Sequence, residues 1–293
     1  MPEQPIQPIV IETKEPVRPF LKWLGGKTRV TPFLEPFLQG NNKFIEPFAG
    51  SGTVSLNLFK HSARFTHYTL ADINNDLIQL YTHLRDIPDF IDTCQLLFTA
   101  TNNTKDRYYE LRQEFNDTKD LLHKSCLFIY LNRHCFNGVC RYNSTGGFNV
   151  PYGHPKASHF PEEALKTFKE LLTHTTLKTG TFKDTMLEAG DGDVVYCDPP
   201  YVPLTLSASF TSYAKDGFSL EQQKELVLCA KQATERGATV IISNHDTELT
   251  REIYKDAKIE PLLVRRSVGS KSNSRIMTKE LVACYRPQNS TIS

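Results

Sequence analysis

The segment KFIEPFAGSGTVSLNLF, residues 43–59, decides the fold of this chain. It begins with a short apolar stretch typical of a strand, passes through a turn with two glycines, and continues as a helix. In open α/β sheets, ligands bind where such a strand ends and the next helix begins. The segment therefore predicts an α/β protein and places a candidate binding site beside Glu46.

More strands follow and alternate with helices. FTHYTLADI (65–73) is predicted to be a strand that ends on Asp72. A later helix is bounded by a capping box of Ser219 and Gln222 and by Gly237. This alternation predicts a largely parallel sheet that is covered on both faces. The other predicted strands are DVVYC (193–197), TVIIS (239–243), EPLLVRR (260–266) and ELVACY (280–285).

The predicted core comes from two pieces of sequence. Residues 76–160 break the alternation, because they are helix-like, rich in Tyr, Phe and Asn, and end in the loop-like CRYNSTGGFNVPYGHPKASHF (140–160). We predict that residues 20–75 and 161–286 form one α/β domain, and that residues 76–160 form a mainly helical subdomain inserted into it.

The composition is that of a globular protein with a buried core. Of the 293 residues, 39% are hydrophobic and 23% charged, and the net charge is only +1, so a polyanionic partner requires a local basic face. No apolar run approaches the ~20 residues of a membrane helix. The proline-rich residues 1–19 lack the pattern of a signal peptide and are predicted to be a flexible arm, with residues 287–293 as a tail.

The seven cysteines form no CxxC pair, and their number is odd. This favours free thiols in the reducing cytoplasm. Cys135 and Cys140 beside His134 are conceivable zinc ligands, but their spacing is unusual and no fourth ligand is evident. Apolar packing of these cysteines is the favoured interpretation, and we predict no metal site.

Three acids each follow directly on an apolar strand: Glu46, Asp72 and Asp198. The carboxyl ends of parallel strands share one edge of a sheet, so we expect these side chains to lie together. With Gly50, Ser51 and Gly52 beside the first acid, they predict a pocket for a ligand that carries hydroxyl groups and positive charge. A phosphate ligand would be repelled by three carboxylates.

Two stretches of the sequence resemble nucleotide-binding motifs. GGKT (25–28) resembles the end of a P-loop, but Leu21 stands where the first glycine is needed and no strand precedes it, so a P-loop is excluded. GSGTVS (50–55) has two of the three glycines of the dinucleotide fingerprint, and Asp72 lies where a ribose-binding acid belongs. A glycine turn with such an acid is shared by proteins that bind NAD and S-adenosylmethionine. A tight turn with a surface acid is the structural alternative.

The segment DVVYCDPPYVP (193–203) ends a strand with an acid, two prolines and an aromatic ring. The amino group of a nucleobase is a poor nucleophile because its lone pair is delocalised, and two acceptors on its hydrogens favour localisation. Asp198 supplies one acceptor, and the Pro199 carbonyl supplies another, held stiffly because Pro199 and Pro200 have fixed φ. Tyr201 offers a stacking face worth ~1–3 kcal/mol. The alternative is a strand-ending Pro-Pro turn with an incidental acid.

Seven motifs together resemble the DNA adenine-N6 methyltransferases of the Dam type. They are FLKWLGGK (20–27), EPFAGSG (46–52), LADINNDLI (70–78), LNRHCFNGVCRYN (131–143), FNVPYG (148–153), DPPY (198–201) and ISNHDT (242–247). The resemblance extends from about residue 20 to residue 286. It implies a Rossmann-like sheet that binds S-adenosyl-L-methionine, an inserted target-recognition subdomain, and methyl transfer to adenine N6 in duplex DNA within GATC.

The resemblance also implies roles for individual residues. Beside the resemblance, Trp23 is expected to pack on the ligand or support its pocket, and Lys27 to pair with the methionine carboxylate of the cofactor. A solvated lysine at the start of a helix is the alternative for Lys27. The complete set of expected cofactor residues is Trp23, Lys27, Glu46, Gly50, Ser51, Gly52, Asp72 and Asp198. The expected catalytic residues are Asp198, Pro199, Pro200 and Tyr201.

The segment 136–155 corresponds to the family's hairpin-like loop that reads the DNA site. Arg141 is the expected guanine reader, since arginine can bond O6 and N7 together, at about 1–3 kcal/mol of discrimination. Phe136, which stands where the family usually has tyrosine, is expected to enter the base stack as adenine flips out, with Asn137 beside the vacated partner. Packing in the core is the alternative for the aromatic residues of this segment. Val139 and Pro151 are expected to contact base edges, and Arg112, Asn143 and Asn149 to contact phosphates. Lys22 is a further expected DNA contact.

Two stretches without acidic residues provide local basic faces. Residues 121–160 contain four Lys or Arg, and residues 261–279 contain five. Phosphate binding requires such faces, although a solvated basic surface is the ordinary explanation for one of them. The loop at 202–218 is predicted to be mobile and to order over the flipped base. We expect a monomer in the cytoplasm, associated with the nucleoid.

Other functions fit parts of this pattern. N4-cytosine, RNA-adenine and protein-glutamine methyltransferases need a similar clamp, but Asp at the first position of the turn and the recognition segment favour DNA adenine. A DNA-binding protein that has lost catalysis would not need an intact Asp198, Pro199 and Tyr201. An NAD-dependent oxidoreductase would not need the basic insert.

Overall fold

A computed structural model describes residues 15–287, except residues 29, 30, 39, 41, 63, 158, 204–217 and 268–274. Its strands are β1 (Lys43–Glu46), β2 (His67–Asp72), β3 (Thr175–Thr179), β4 (Val194–Cys197), β5 (Thr239–His245), β6 (Lys258–Ser267) and β7 (Arg275–Tyr285). The helices of the first half are α1 (Thr31–Leu34), α2 (Thr53–His61), α3 (Asn75–Asp86), α4 (Phe90–Gln95), α5 (Lys105–Asp117) and α6 (Leu121–His134). Those of the second half are α7 (Glu162–Leu172), α8 (Phe182–Met186), α9 (Leu220–Glu235) and α10 (Glu248–Ile253), and 3-10 turns lie at Glu35–Phe37 and Phe136–Gly138.

The seven strands form one sheet in the order β3-β2-β1-β4-β5-β7-β6. The first five strands pair in parallel, and β7 is antiparallel to both β5 and β6. The predicted largely parallel α/β sheet is confirmed. Strand β3 was not predicted, because its sequence TTLKT is polar and occupies an edge of the sheet.

Side chains alternate along the central strands between two cores. On β1, Phe44 belongs to one core and Ile45 to the other, and on β4 Tyr196 and Cys197 separate in the same way. Both faces of the sheet are therefore buried, as parallel sheets require. The core that contains Phe44 continues into α5 and α6, so the helical region shares its packing with the sheet.

Helix α3 follows β2 directly, and its first residues coincide with the predicted domain boundary at 75/76. The Asn74 side chain caps it by accepting from the Leu77 N–H at 3.2 Å. The helix packs against β2 and β3 as well as against α6, so it joins the sheet to the helical region. The division into domains stays a prediction.

The described residues leave two other predictions open. The loop predicted to be mobile at 202–218 lies mostly outside them, as do most of the N-terminal arm and nearly all of the C-terminal tail.

The capping box of Ser219 and Gln222 is confirmed at the start of α9. None of the helices in the described part of the chain has both the length and the apolarity needed to cross a membrane.

Candidate active site

The three predicted acids meet at one cavity. Strands β2, β1 and β4 are neighbours in the sheet, so their carboxyl ends bring Asp72, Glu46 and Asp198 to the same edge. The cavity has a volume of about 370 Å³. It is lined by Trp23, Leu24, Gly25, Gly26, Lys27, Glu46, Phe48, Ala49, Gly50, Ser51, Thr53, Val54, Asp72, Ile73, Tyr196, Asp198, Pro199, Pro200 and Tyr201.

The glycine turn after β1 has no room for side chains. Gly50 has φ +47°, and a Cβ placed on it would lie 2.6 Å from Nε1 of Trp23. Gly52 has φ +62°, and a Cβ there would lie 2.8 Å from the Phe168 ring. The Tyr81 hydroxyl donates to the Gly50 carbonyl at 2.5 Å and holds the turn in place. The backbone of this turn therefore forms a close wall of the cavity, next to Trp23.

Asp72 is fixed by two backbone donors. The Gly50 N–H donates to Oδ2 at 3.0 Å, and the Asn74 N–H donates to Oδ1 at 2.9 Å. Burial raises the pKa of Asp72, and these hydrogen bonds oppose the increase. Each carboxylate oxygen has a second lone pair, so the side chain is able to accept hydrogen bonds from a ligand's hydroxyl groups.

Glu46 differs from the other two acids because it is fully buried. Its Oε2 accepts from the Ser55 N–H at 3.0 Å and from the Ser55 hydroxyl. Burial raises the pKa of Glu46 to about 8, partly offset by the bonds to Ser55 and increased slightly by Asp198. Burial therefore favours the protonated form of Glu46 at neutral pH, in contrast to the three charged carboxylates expected from the sequence.

Asp198 lies at the centre of a polar network. Its Oδ1 is 2.9 Å from the Lys27 ammonium and accepts from the Ser243 hydroxyl at 2.8 Å. Ser243 is in turn 3.0 Å from the hydroxyl of Tyr196. Lys27 therefore contacts the predicted catalytic turn, and its predicted pairing with a cofactor carboxylate stays a prediction.

Tyr201 is held by its hydroxyl. The Lys27 ammonium donates to this oxygen at 2.8 Å, and the hydroxyl donates to Oε2 of Glu280 at 3.0 Å. The ring also lies 4.6 Å from the Lys27 nitrogen and edge-on to His245. Burial raises the pKa of Tyr201 well above its ordinary value, so the hydroxyl is neutral.

The rest of the turn is fixed by α9 and β5. The Pro200 carbonyl accepts from the Gln223 side chain at 3.1 Å, and the Val202 N–H donates to the Asn244 side chain at 3.1 Å. The His245 ring is 2.8 Å from the carbonyl of Val202. The two prolines and these hydrogen bonds together restrict the conformation of the turn at residues 198–201, which we call the Asp198 corner.

Sequence reasoning missed two residues of this network. Ser243 lies within the quoted motif ISNHDT, but no role was predicted for it. Glu280 is only 2% exposed, and it lies on β7 opposite His245. The rule that functional residues lie at the carboxyl ends of parallel strands does not apply to Glu280, because β7 runs antiparallel to β5.

The segment 136–155 contains the hairpin implied by the resemblance. Antiparallel bridges pair Cys135 with Tyr152 and Tyr142 with Phe148. At its tip the Asn143 side chain accepts from the N–H groups of residues 145 and 147. The side chain of Asn143 therefore shapes the turn, and its predicted phosphate contact stays a prediction.

The exposed side chains of this hairpin include several of the predicted DNA residues. Phe136 is 48% exposed, which is unusual for a large apolar side chain, and Asn137 beside it has φ 55°. Arg141 is exposed, and its Nε donates to Asn149 Oδ1 at 2.8 Å, so Asn149 orients Arg141. Pro151 is exposed and Val139 is half-buried against the core.

Two predicted DNA residues lie outside the hairpin and brace it. Arg112 on α5 donates to the Val150 carbonyl at 3.0 Å. The Lys22 backbone N–H donates to the Asn132 side chain at 2.9 Å, and that side chain donates back to the Lys22 carbonyl at 2.8 Å. A Cβ on Gly138 would lie 2.2 Å from Cβ of Lys22, so the hairpin packs directly on the segment that carries Trp23 and Lys27.

No cysteine is among the described residues that line the cavity. All seven cysteines are described as free thiols. His134, next to Cys135, stacks on the ring of Tyr130 and lies 2.8 Å from its carbonyl. Among the residues that the structure describes, no group of three or more His, Cys, Asp or Glu side chains is arranged to hold a metal ion.

A seven-stranded, largely parallel sheet with a glycine turn, a buried acid at the end of the next strand and an Asp-Pro-Pro-Tyr turn at the same edge is the arrangement of a Rossmann-like methyltransferase. The family model described as D12 class N6 adenine-specific DNA methyltransferase matches residues 23–268. The chain belongs to this family, and it is an adenine-specific DNA methyltransferase, as the motifs predicted.

Curated relatives agree over nearly the whole length. The DNA adenine methylase of Escherichia coli (strain K12) is 43% identical over 92% of this chain and 96% of its own. The DNA adenine methylase of Serratia marcescens is also 43% identical, over 92% of this chain and 98% of its own. Among solved structures, the rRNA methyltransferase aviRa from Streptomyces viridochromogenes is a distant match, with 12% identity and a TM-score of 0.37 over 88% of this chain and 84% of its own.

Proposed function

We propose that this enzyme takes the methyl group from S-adenosyl-L-methionine and transfers it to an adenine that is flipped out of duplex DNA at GATC. One observation carries the proposal: the Asp198 corner and the glycine turn with Asp72 line the same cavity. A donor held by the turn and an amino group held by the corner would therefore meet inside it. We further propose that one copy of the chain is sufficient.

The chain's residues fit this cofactor. Asp72 is proposed to accept hydrogen bonds from the ribose hydroxyl groups, because its oxygens are fixed by backbone donors and retain lone pairs. Trp23, Lys27 and Ser51 form further parts of the wall. The negative charge of the cavity suits a ligand with a sulfonium and an ammonium group. When bound, the cofactor supplies an electrophilic methyl group on its sulfur.

The corner is proposed to activate the adenine amino group. Asp198 uses Oδ1 for Lys27 and Ser243, so we assign Oδ2 to one amino hydrogen and the Pro199 carbonyl to the other. Both bonds strengthen as the nitrogen becomes positive in the transition state. Tyr201 provides the ring on which the base stacks. Transfer forms the nitrogen–carbon bond and breaks the carbon–sulfur bond, after which the nitrogen gives up one proton through Asp198 to solvent.

The hairpin at 136–155 is proposed to read the DNA. Arg141, oriented by Asn149, is assigned to a guanine, and the exposed Phe136 to the space left by the flipped adenine. Val139 and Pro151 are assigned to base edges. The proposed phosphate contacts are Arg112, Asn143 and Asn149, and Lys22 is assigned to DNA beside them.

Tritium-labelled cofactor distinguishes this function from its alternatives. The enzyme is incubated with duplexes that contain GATC, with duplexes in which one base pair of the site is changed, and with the corresponding single strands. We expect label in N6-methyldeoxyadenosine only when the duplex contains GATC. Label in N4-methyldeoxycytidine, or equal labelling of duplexes without GATC, would contradict the proposal. Asp198→Ala is the inactive control, with an expected loss of at least ~10²-fold.

A further inference from the structure

Glu280 lies behind the cavity and contacts two of its lining residues, Tyr201 and Lys27, although it belongs to a different part of the sheet. Strand β7 is antiparallel to β5 and pairs Glu280 with His245, the last residue of β5. This register brings the carboxylate to the edge where the parallel strands end. The side chain is 2% exposed, whereas its neighbours Leu281 and Val282 belong to the apolar cores. A buried carboxylate in an apolar strand is unfavourable unless it has polar partners.

The partners of Glu280 are the residues that surround Asp198. Oε2 accepts from the Tyr201 hydroxyl at 3.0 Å and lies 3.9 Å from the Lys27 ammonium. Lys27 itself is 2.9 Å from Asp198 Oδ1 and donates to the same Tyr201 hydroxyl at 2.8 Å. A chain of contacts thus runs from Glu280 through Tyr201 and Lys27 to Asp198.

The charges of this cluster explain why a second carboxylate is useful. Lys27 carries one positive charge, and Asp198 alone would neutralise it, which would leave the corner a weak acceptor for a nitrogen that becomes positive. With Glu280 beside Lys27, the cluster of two carboxylates and one ammonium keeps one negative charge. Asp198 is the member with the more open side chain, at 24% exposure against 2% for Glu280, so this charge faces the cavity.

We propose that Glu280 is a positioning residue for methyl transfer. It balances the charge of Lys27, so that Asp198 keeps its negative charge, and it fixes the Tyr201 ring through the hydroxyl. This inference rests on the proposed function, in which Asp198 and Tyr201 receive the adenine. Glu280 does not touch the substrate, and it acts through Lys27 and Tyr201.

Glu280→Gln tests this role because it keeps the shape and an acceptor for Tyr201 but removes the charge. We expect the single-turnover rate of methyl transfer, at saturating duplex and S-adenosylmethionine, to fall by roughly 10- to 100-fold, less than for direct removal of a transition-state partner. The Kd for cofactor, measured by calorimetry, should change by less than about threefold, since the cofactor-binding acid is Asp72. A purely structural role would instead lower the melting temperature and leave the rate of the folded enzyme unchanged.

Lys27→Met in the Glu280→Gln background tests the charge argument. If Glu280 acts by balancing the ammonium, it has less to balance once Lys27 is removed, so we expect Glu280→Gln to slow transfer less in the Lys27→Met background than in the wild-type background, at saturating cofactor. An equal loss in the two backgrounds would overturn the charge-balancing role. If Glu280→Gln does not fold, Tyr201→Phe removes the same hydrogen bond, and a wild-type transfer rate in that variant would overturn the positioning role.

The controls separate this inference from the proposed function. If the unmodified enzyme does not label adenine, or if Asp198→Ala retains its rate, the proposed function fails. If both behave as expected and Glu280→Gln transfers methyl at the wild-type rate, only the role of Glu280 fails.

Discussion

The protonated state of Glu46 leads to a prediction that does not depend on activity. Glu46 is fully buried at the carboxyl end of β1, and burial raises its pKa from the ordinary 4.5 to about 8. Replacing it with glutamine keeps the side chain's shape and an oxygen that can accept from the Ser55 N–H, but it removes the titration. The effect on the free energy of unfolding should therefore depend on pH.

The sign and size of the effect follow from linkage. Because the pKa is higher in the folded protein than in the unfolded chain, the stability that protonated Glu46 contributes is complete below pH 4.5 and is lost as pH rises to 8. The full difference corresponds to roughly 5 kcal/mol, of which roughly 3 kcal/mol is already lost at pH 7. Relaxation of the site and water entry reduce this, so we expect a loss of about 2–3 kcal/mol between pH 5 and pH 8.

Urea unfolding of both proteins at pH 5, 6, 7 and 8 measures the difference. All other titrating groups are common to the two proteins, so their contributions cancel when the curves are subtracted. We expect Glu46→Gln to be close to wild type at pH 5 and to gain about 2–3 kcal/mol relative to it by pH 8. A difference between the proteins that stays constant within about 0.5 kcal/mol over this range would refute the assignment of a raised pKa to Glu46.

Three further predictions concern the glycine turn and the hairpin. Gly50→Ala should weaken cofactor binding in calorimetry and lower the free energy of unfolding by about 1–3 kcal/mol, because its Cβ would clash with Trp23. Gly146 has φ +80° but open space around it, so Gly146→Ala is the matched control and should bind cofactor normally. Tyr142→Phe should lower the free energy of unfolding in urea by about 1–2 kcal/mol, since its hydroxyl donates to Asp76 at 2.9 Å, and an unchanged midpoint would contradict this. Arg141→Ala should reduce discrimination at one base pair by about 1–3 kcal/mol, measured as kcat/KM on GATC and singly substituted duplexes, whereas equal losses on all duplexes would indicate a phosphate contact instead.

The sequence predicted the site best where a residue with the right side chain also stands at the end of a parallel strand. Glu46, Asp72 and Asp198 could be assigned to one cavity because each ends a parallel strand, and parallel strands end at one edge. The glycines could be assigned to a turn beside the first acid, and the structure shows Trp23 and Phe168 in the space where their side chains would be. Periodicity and strand ends are local properties, so they can be read without the fold.

Properties that depend on the assembled fold could not be predicted. The contact between Lys27 and Asp198 joins residues 171 positions apart, and no spacing rule relates them. Glu280 enters the site only because β7 runs antiparallel and pairs with β5 in one particular register. The protonation of Glu46 follows from its complete burial, which the residue type alone does not indicate.

The interlock between Lys22, Asn132 and Gly138 has a consequence for protein engineering. Because Asn132 bonds the Lys22 backbone twice and the chain at Gly138 lies against the Lys22 side chain, the hairpin is not an exchangeable module. A chimera that imports another relative's hairpin together with the end of α6 has to retain glycine at position 138 and asparagine at 132, or import the segment around residue 22 as well. New sequence preferences are therefore better sought by substitutions within the exposed hairpin than by grafting it as a unit.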